Sequence, residues 1–171
     1  MNDIAAEIID NLRDRKLTLG TVESATGGLI AQLLTGIPGS SDVFRGSIVS
    51  YSNDIKTNLA GVKTATLEKY GAVSSQVAAE MAAGGRKALG VDICVADTGI
   101  AGPGGATPGK PVGLFYLGLS TKDGTASQKH RFTGSREENK QQAAQTALTW
   151  VRDYLKKLPV YSVLSPPVGE S

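Results

Sequence analysis

The sequence predicts a three-layer α/β/α sandwich built on a mixed sheet of about five strands. Three observations carry that expectation. Short apolar, β-branched runs alternate with segments whose apolar residues recur at helical spacing. Gly- and Pro-rich turn chemistry separates them. The last two strand-like runs are close enough in the chain to pair as an antiparallel hairpin, whereas the earlier ones have helices between them. At 171 residues the chain is long enough for one domain with a sizeable core. That domain is expected over residues 1–158, followed by a Pro-rich, loosely ordered tail at 159–171.

Each element has its own signal. Ile4, Ile8, Ile9 and Leu12 recur at helical spacing with charges between them, which predicts an amphipathic helix over 3–15. "LTLGTV" (17–22) is a short buried strand, followed by a helix over about 27–36. "PGSSDVF" (38–44) is turn chemistry, and "GSIVSYS" (46–52) a strand with Ile48 and Ser50 on the face opposite Val49 and Tyr51. Short helices are expected over about 53–60, with Asn53 as its N-cap, and over 64–70. Ser74 or Ser75 caps a long Ala-rich helix that runs to about Leu89 and stops at Gly90. "VDICVADTGI" (91–100) reads as a central strand buried on both faces. Three prolines and four glycines make "AGPGGATPGKP" (101–111) a loop. "VGLFYLGLS" (112–120) and "ASQKHRF" (126–132) form the hairpin, joined across Asp123-Gly124. Ser135 and Glu138 make a capping box for a last helix over about 136–158. There is no internal repeat.

Composition excludes several classes. A formal charge of +2 without a long basic run argues against nucleic-acid binding. No stretch reaches the roughly 18 apolar residues of a membrane span, and the N-terminus lacks the apolar core of a signal peptide. Cys94 is the single cysteine, so no internal disulfide can form, and it lies in an apolar run that favours a buried small hydrophobe. One cysteine and one histidine do not make a zinc site of the usual kind, and no metal or cofactor is expected. The cytoplasm is the expected compartment.

Where, then, is the chemistry? "ESATGG" (23–28) sits between a strand and a helix. Ser and Thr cap helices and Gly permits sharp turns, which accounts for the stretch structurally. The same placement also holds the Ser24 hydroxyl at a helix mouth, beside the N–H groups of residues 25–28, those of Thr26, Gly27 and Gly28 foremost, able to stabilise an oxyanion. Lys56 follows the next strand, three residues after Asn53, in the first turn of a helix where the macrodipole disfavours positive charge. A solvated lysine fits that position; so does a buried base with a depressed pKa. Two other patterns fail. Gly104–Lys110 spells G-x-x-x-x-G-K, but Pro111 and a strand follow where Ser or Thr and a helix are needed. His130, the one histidine, lies mid-strand with nothing to bring it to Ser24.

These residues have a family likeness. "ESATGG", "PGSSDVFRGSIVSYSNDIK", "GAVS", "TGIAGPGG", "KPVG" and "FTGSRE" follow the order and spacing of the CinA carboxy-terminal domain family, over about residues 5–155. Standalone members of that family resemble nicotinamide-nucleotide amidases, which hydrolyse nicotinamide mononucleotide to nicotinic acid mononucleotide and ammonia with a serine–lysine pair and no metal. The resemblance implies Ser24 as nucleophile and Lys56 as base, with Tyr51, Asn53, Thr98 and Arg136 around the site. On that reading Tyr51 and Thr98 orient lysine or substrate, and Arg136 meets the substrate phosphate. It further implies a mostly parallel mixed sheet, a homo-oligomer and a small nucleotide as the partner.

Three departures stand out. Ala25 replaces a usual cysteine, Ser47 a common second glycine, and Lys140 an arginine that often follows Arg136. The 171 residues hold no counterpart of the larger amino-terminal domain of longer members, and an activity belonging to that domain is not expected of them. Two other functions compete: a non-catalytic interaction module, in keeping with the family's link to competence and DNA damage, and an amidase of another small carboxamide. An intact serine and lysine speak for an enzyme, since a binding module needs neither nucleophile nor base.

Overall fold

The computed structural model describes residues 2–160; the tail expected at 159–171 lies almost wholly outside them. Five strands, β1 (Leu19–Glu23), β2 (Phe44–Val49), β3 (Ile93–Gly99), β4 (Leu114–Thr121) and β5 (Gly124–Arg131), form one sheet in the order β2-β1-β3-β4-β5. β1 pairs in parallel with β2 and β3, while β3–β4 and β4–β5 are antiparallel, so β4 alone runs against the other four. The sheet is therefore mixed, with most strands running one way, as expected.

Helices cover both faces. α1 (Asn2–Arg15), α2 (Leu29–Thr35) and α6 (Arg136–Lys156) lie on one side, and α5 (Ser75–Leu89) on the other, with α3 (Asn53–Asn58) and α4 (Thr64–Tyr70) flanking. The period-2 alternation of β3 shows why a central strand must be apolar throughout. Ile93 and Val95 pack under α1, α2 and α6, whereas Cys94 and Ala96 pack under α5. Ile8, Ile9 and Leu12 of α1 are wholly buried in the first cluster. Each such side chain contributes roughly 1.5–3 kcal/mol over leaving it exposed, which is what holds a 14-residue helix down. Burial also pushes the Cys94 thiol up to about 12. On the other face, a Cβ on Gly118 would collide with the Ala78 carbonyl, so its absence lets α5 lie close against β4.

Local signals place the ends. Gly27 and Gly28 have positive φ values of 63° and 105° and form the sharp turn from β1 into α2. Ser74 caps α5, Gly90 closes it in the left-handed region, and the Ser135–Glu138 capping box opens α6. Two expectations shift by one residue. The hairpin turns on Lys122-Asp123 rather than Asp123-Gly124, because Gly124, at φ 123°, already pairs with Thr121. The cap of α3 is Ser52, whose hydroxyl accepts the Ile55 N–H, and Asn53 is the first helical residue. In consequence the carboxyl ends of β1, β2 and β3 open on one rim, the place where α/β sheets bind ligands.

Candidate active site

The rim holds a cavity of about 310 Å³. Ser24 and Ala25 line it from the end of β1, Tyr51 and Asn53 from the start of α3, Thr98 and Gly99 from the end of β3, and Arg136 from α6. Ala72 and Val73, ahead of α5, and the Gly-rich segment from Ile100 to Gly105 complete the wall. Five of the residues expected from sequence therefore share this cavity with Lys56.

Lys56 is 2% exposed. It is the fourth residue of α3, and its side chain runs back along the helix, the direction every helical Cβ takes. Its Nζ stands 3.0 Å from Ser24 Oγ, 2.8 Å from the Ser50 carbonyl and 3.4 Å from that of Tyr51. A neutral amine has two N–H groups and one lone pair. Two carbonyls and one hydroxyl are its complement. Burial lowers the Lys56 pKa, opposed by the nearby Asp97 charge. Thus burial, rather than the helix mouth invoked from sequence, depresses the lysine.

The other expected residues divide. Tyr51 meets Lys56 through its backbone carbonyl, at 3.4 Å; the residue is 65% exposed, and its phenol accepts a 3.4 Å bond from Arg136. Thr98 makes no bond to lysine: its hydroxyl donates 2.8 Å to the Ala72 carbonyl, tying β3 to the loop ahead of α5. Asn53 is exposed on the rim. Arg136 donates to the Gly102 carbonyl at 2.8 Å, leaving its guanidinium at the cavity wall. Lys140 lies on the far side of Arg136, beside Gly27.

Thr26, Gly27 and Gly28 do not form the expected oxyanion site. Thr26 N–H donates to Asp97 at 3.1 Å, Gly27 N–H to the Ser24 carbonyl at 3.0 Å, and Gly28 N–H to Glu23 at 3.2 Å. The helix mouth is already occupied by two carboxyls and a backbone carbonyl of its own chain. Among residues 24–28, Ala25 alone has an N–H without an acceptor in the described residues.

Sequence reading missed the residues that do this. Glu23 and Asp97 are wholly buried carboxyls at the ends of β1 and β3. Glu23 accepts the N–H groups of Ile30 and Ala31 at 2.8 and 2.9 Å, as well as that of Gly28, and so caps α2 from the preceding strand. Asp97 accepts Ser24 N–H at 3.2 Å and fixes the Ser24 backbone. Asn139, also buried, accepts Gly134 N–H and donates to the Ala101 carbonyl, joining α6 to the Gly-rich segment. The available signal was a carboxylate inside an apolar strand run, in "TVES" and "VADTG". Such a group is buried only when hydrogen-bonded or paired.

The excluded candidates stay outside. His130 lies on β5, stacked on Phe132 and paired with Gln128. Lys110 of the phosphate-loop-like stretch donates to the Tyr70 carbonyl. No described helix is long and apolar enough to cross a membrane.

Residues 1–155 match the family described as CinA C-terminal domain. The chain belongs to that family. A CinA-like protein of Leptospira borgpetersenii serovar Hardjo-bovis (strain L550) is 48% identical over 156 residues, covering 91% of this chain and 37% of that protein. One from Thermotoga maritima is 44% identical over 149 residues, 87% of this chain and 36% of its own length. The chain thus spans well under half of these curated CinA-like relatives. Solved CinA structures agree with the fold. The competence/damage inducible protein CihA of Agrobacterium tumefaciens superposes with a TM-score of 0.88 at 40% identity, over 91% of this chain and 95% of that one. A CinA superfamily protein of Escherichia coli gives 0.85 at 28% identity, over 91% and 89%.

Proposed function

We propose that this chain is an amidohydrolase that attacks a small carboxamide through a Ser24–Lys56 dyad, with nicotinamide mononucleotide as the leading substrate. The observation that carries the reading is the 3.0 Å contact between Ser24 Oγ and the Nζ of a lysine that is 2% exposed. Neutral Lys56 accepts the Ser24 proton as Oγ attacks the carboxamide carbon, and the carbonyl electron pair moves onto oxygen. Ala25 N–H is the free donor nearest the nucleophile in sequence for that oxyanion. Collapse of the tetrahedral adduct expels ammonia, which takes its proton from Lys56. Water then gives a proton back to Lys56 as it opens the acyl-enzyme, releasing the acid and restoring Ser24.

The cavity supports the substrate class. Its volume is at the lower end of the range for small-molecule pockets. Arg136 on its wall, with Lys140 beyond, offers cationic partners for a phosphate at the start of α6. The test is ammonia release from nicotinamide mononucleotide, its phosphate-free ribonucleoside and free nicotinamide. The nucleotide should be preferred, and Arg136→Ala should erode that preference by on the order of tenfold or more, the cost of losing a charge-assisted contact. Release from free nicotinamide alone would move the assignment to another carboxamide. Silence across the panel would remove the pyridine carboxamides.

A further inference from the structure

We propose that Asp97 is a positioning residue of the Ser24–Lys56 pair, and that the proton it binds and releases sets the charge of Lys56. The inference rests on the dyad reading above and deepens it. Its origin is a count of hydrogens. The Thr26 hydroxyl lies within bonding reach of two carboxyl oxygens, Glu23 Oε1 at 2.7 Å and Asp97 Oδ1 at a shorter distance. A hydroxyl has one hydrogen. With both carboxyls ionised, one of these contacts would set two bare acceptors against each other in a buried site. One carboxyl must therefore donate to Thr26 Oγ, while Thr26 donates to the other.

The surroundings decide which. Glu23 accepts three backbone N–H groups at the start of α2 and the Thr21 hydroxyl, so its negative charge is well provided for. Asp97 accepts two N–H groups, from Ser24 and Thr26. The proton belongs on Asp97 Oδ1. Burial pushes the Asp97 carboxyl up to about 6, with the neighbouring Glu23 charge acting the same way and the bonds from Thr26 and Ser24 opposing. The titratable and charged groups around this set are Lys56 of α3, Glu23 of β1, Tyr51, Arg136 of α6 across the cavity, and Lys140 beside Gly27.

The consequence for catalysis has a sign. Ionised Asp97 favours the ammonium form of Lys56, whereas protonated Asp97 leaves the amine neutral. Its two N–H bonds to the Ser24 turn act in either state. Asp97→Asn can never ionise; with its amide nitrogen at the Oδ1 position it donates to Thr26 Oγ and keeps an acceptor oxygen for Thr26 N–H, while the bond from Ser24 N–H is lost. Asp97→Ala removes both functions.

The experiment follows phosphonylation of Ser24 by a fluorophosphonate probe, read by intact mass across pH, with folding checked by circular dichroism. It needs no knowledge of the substrate. Asp97→Asn should keep clearly more of the plateau rate than Asp97→Ala, with the acid limb displaced downward by about half a pH unit or more. Asp97→Ala should lose on the order of tenfold or more at the plateau. An Asn variant as slow as the Ala variant, or a limb that stays in place or moves up, overturns the proposal. So does a folded Asp97→Ala protein with a normal plateau. A wild-type Ser24 that resists the probe at every pH overturns the dyad and this inference together. A silent ammonia panel with the Asn variant displaced as expected overturns only the substrate.

Discussion

At the residue scale the proposed Ser24–Lys56 dyad is a matter of inventory. Lys56 is placed by two carbonyls and one hydroxyl, and burial lowers its pKa. Ser24→Ala should abolish turnover while leaving nucleotide affinity largely intact, since the hydroxyl reacts but adds little ground-state binding. Lys56→Met should be comparably inactive, and the double variant hardly worse than either, as for groups that act as a unit. Steady-state kinetics of the three variants check this; multiplicative losses would separate the two residues. In the wild type, activity should rise with pH through the lowered Lys56 pKa, since the proposed mechanism uses the neutral amine as base. The meeting of Ser24 and Lys56 was legible in sequence because each stands at a strand-to-helix junction with turn chemistry around it. The oxyanion expectation at Thr26, Gly27 and Gly28 was not. Whether an N–H is free depends on carboxyls such as Asp97, 71 residues away from Thr26, and nothing local announces them.

At the scale of elements, α6 connects the fold to the cavity. Its capping box fixes the first turn, Arg136 is its first residue, and Asn139 one turn later holds the Gly-rich segment through the Ala101 carbonyl. Ser135→Ala should cost about 0.5–2 kcal/mol of stability by the usual value of an N-cap. Because the frayed turn carries Arg136, the Michaelis constant should rise more than the turnover number falls. Thermal melts and steady-state kinetics on the same preparation test both halves; a stability loss with unchanged kinetics would detach the cap from the site. Element existence was readable throughout, since periodicity and caps are local properties of the chain. Element ends were less so. Asn53 and Ser52 are both good caps, and only the chain path out of β2 selects Ser52. The hairpin slipped by one residue for a related reason: Gly124 suits a turn, but its positive φ is spent opening β5.

At the scale of the whole molecule, protonation in the site is linked to global stability. The Asp97 carboxyl, at about 6 in the folded protein, lies above the 3.8 of an ordinary aspartate, so the folded state binds its proton more tightly. That contribution is complete below pH 3.8 and is lost as pH rises through about 6. Asparagine has no such loss. Relative to wild type, Asp97→Asn should gain stability between pH 4 and 7, on the order of 1–3 kcal/mol, in urea unfolding at a series of pH values. A constant difference would mean that Asp97 titrates alike in both states. The sheet itself offers an independent reporter. Cys94 is the chain's one thiol, sealed between β3 and α5, with its ionisation pushed to about 12. An alkylating reagent that needs the thiolate has no purchase on the native protein at neutral pH. Labelling must wait for the central strand to open, so its slowness is a clock. With opening free energies of several kcal/mol, modification in native buffer should run at least 10³-fold slower than in denaturant, on the order expected for a core strand. Its acceleration with urea should track the global unfolding slope, so that one mass-spectrometric time course weighs the middle of the sheet without a spectroscopic label.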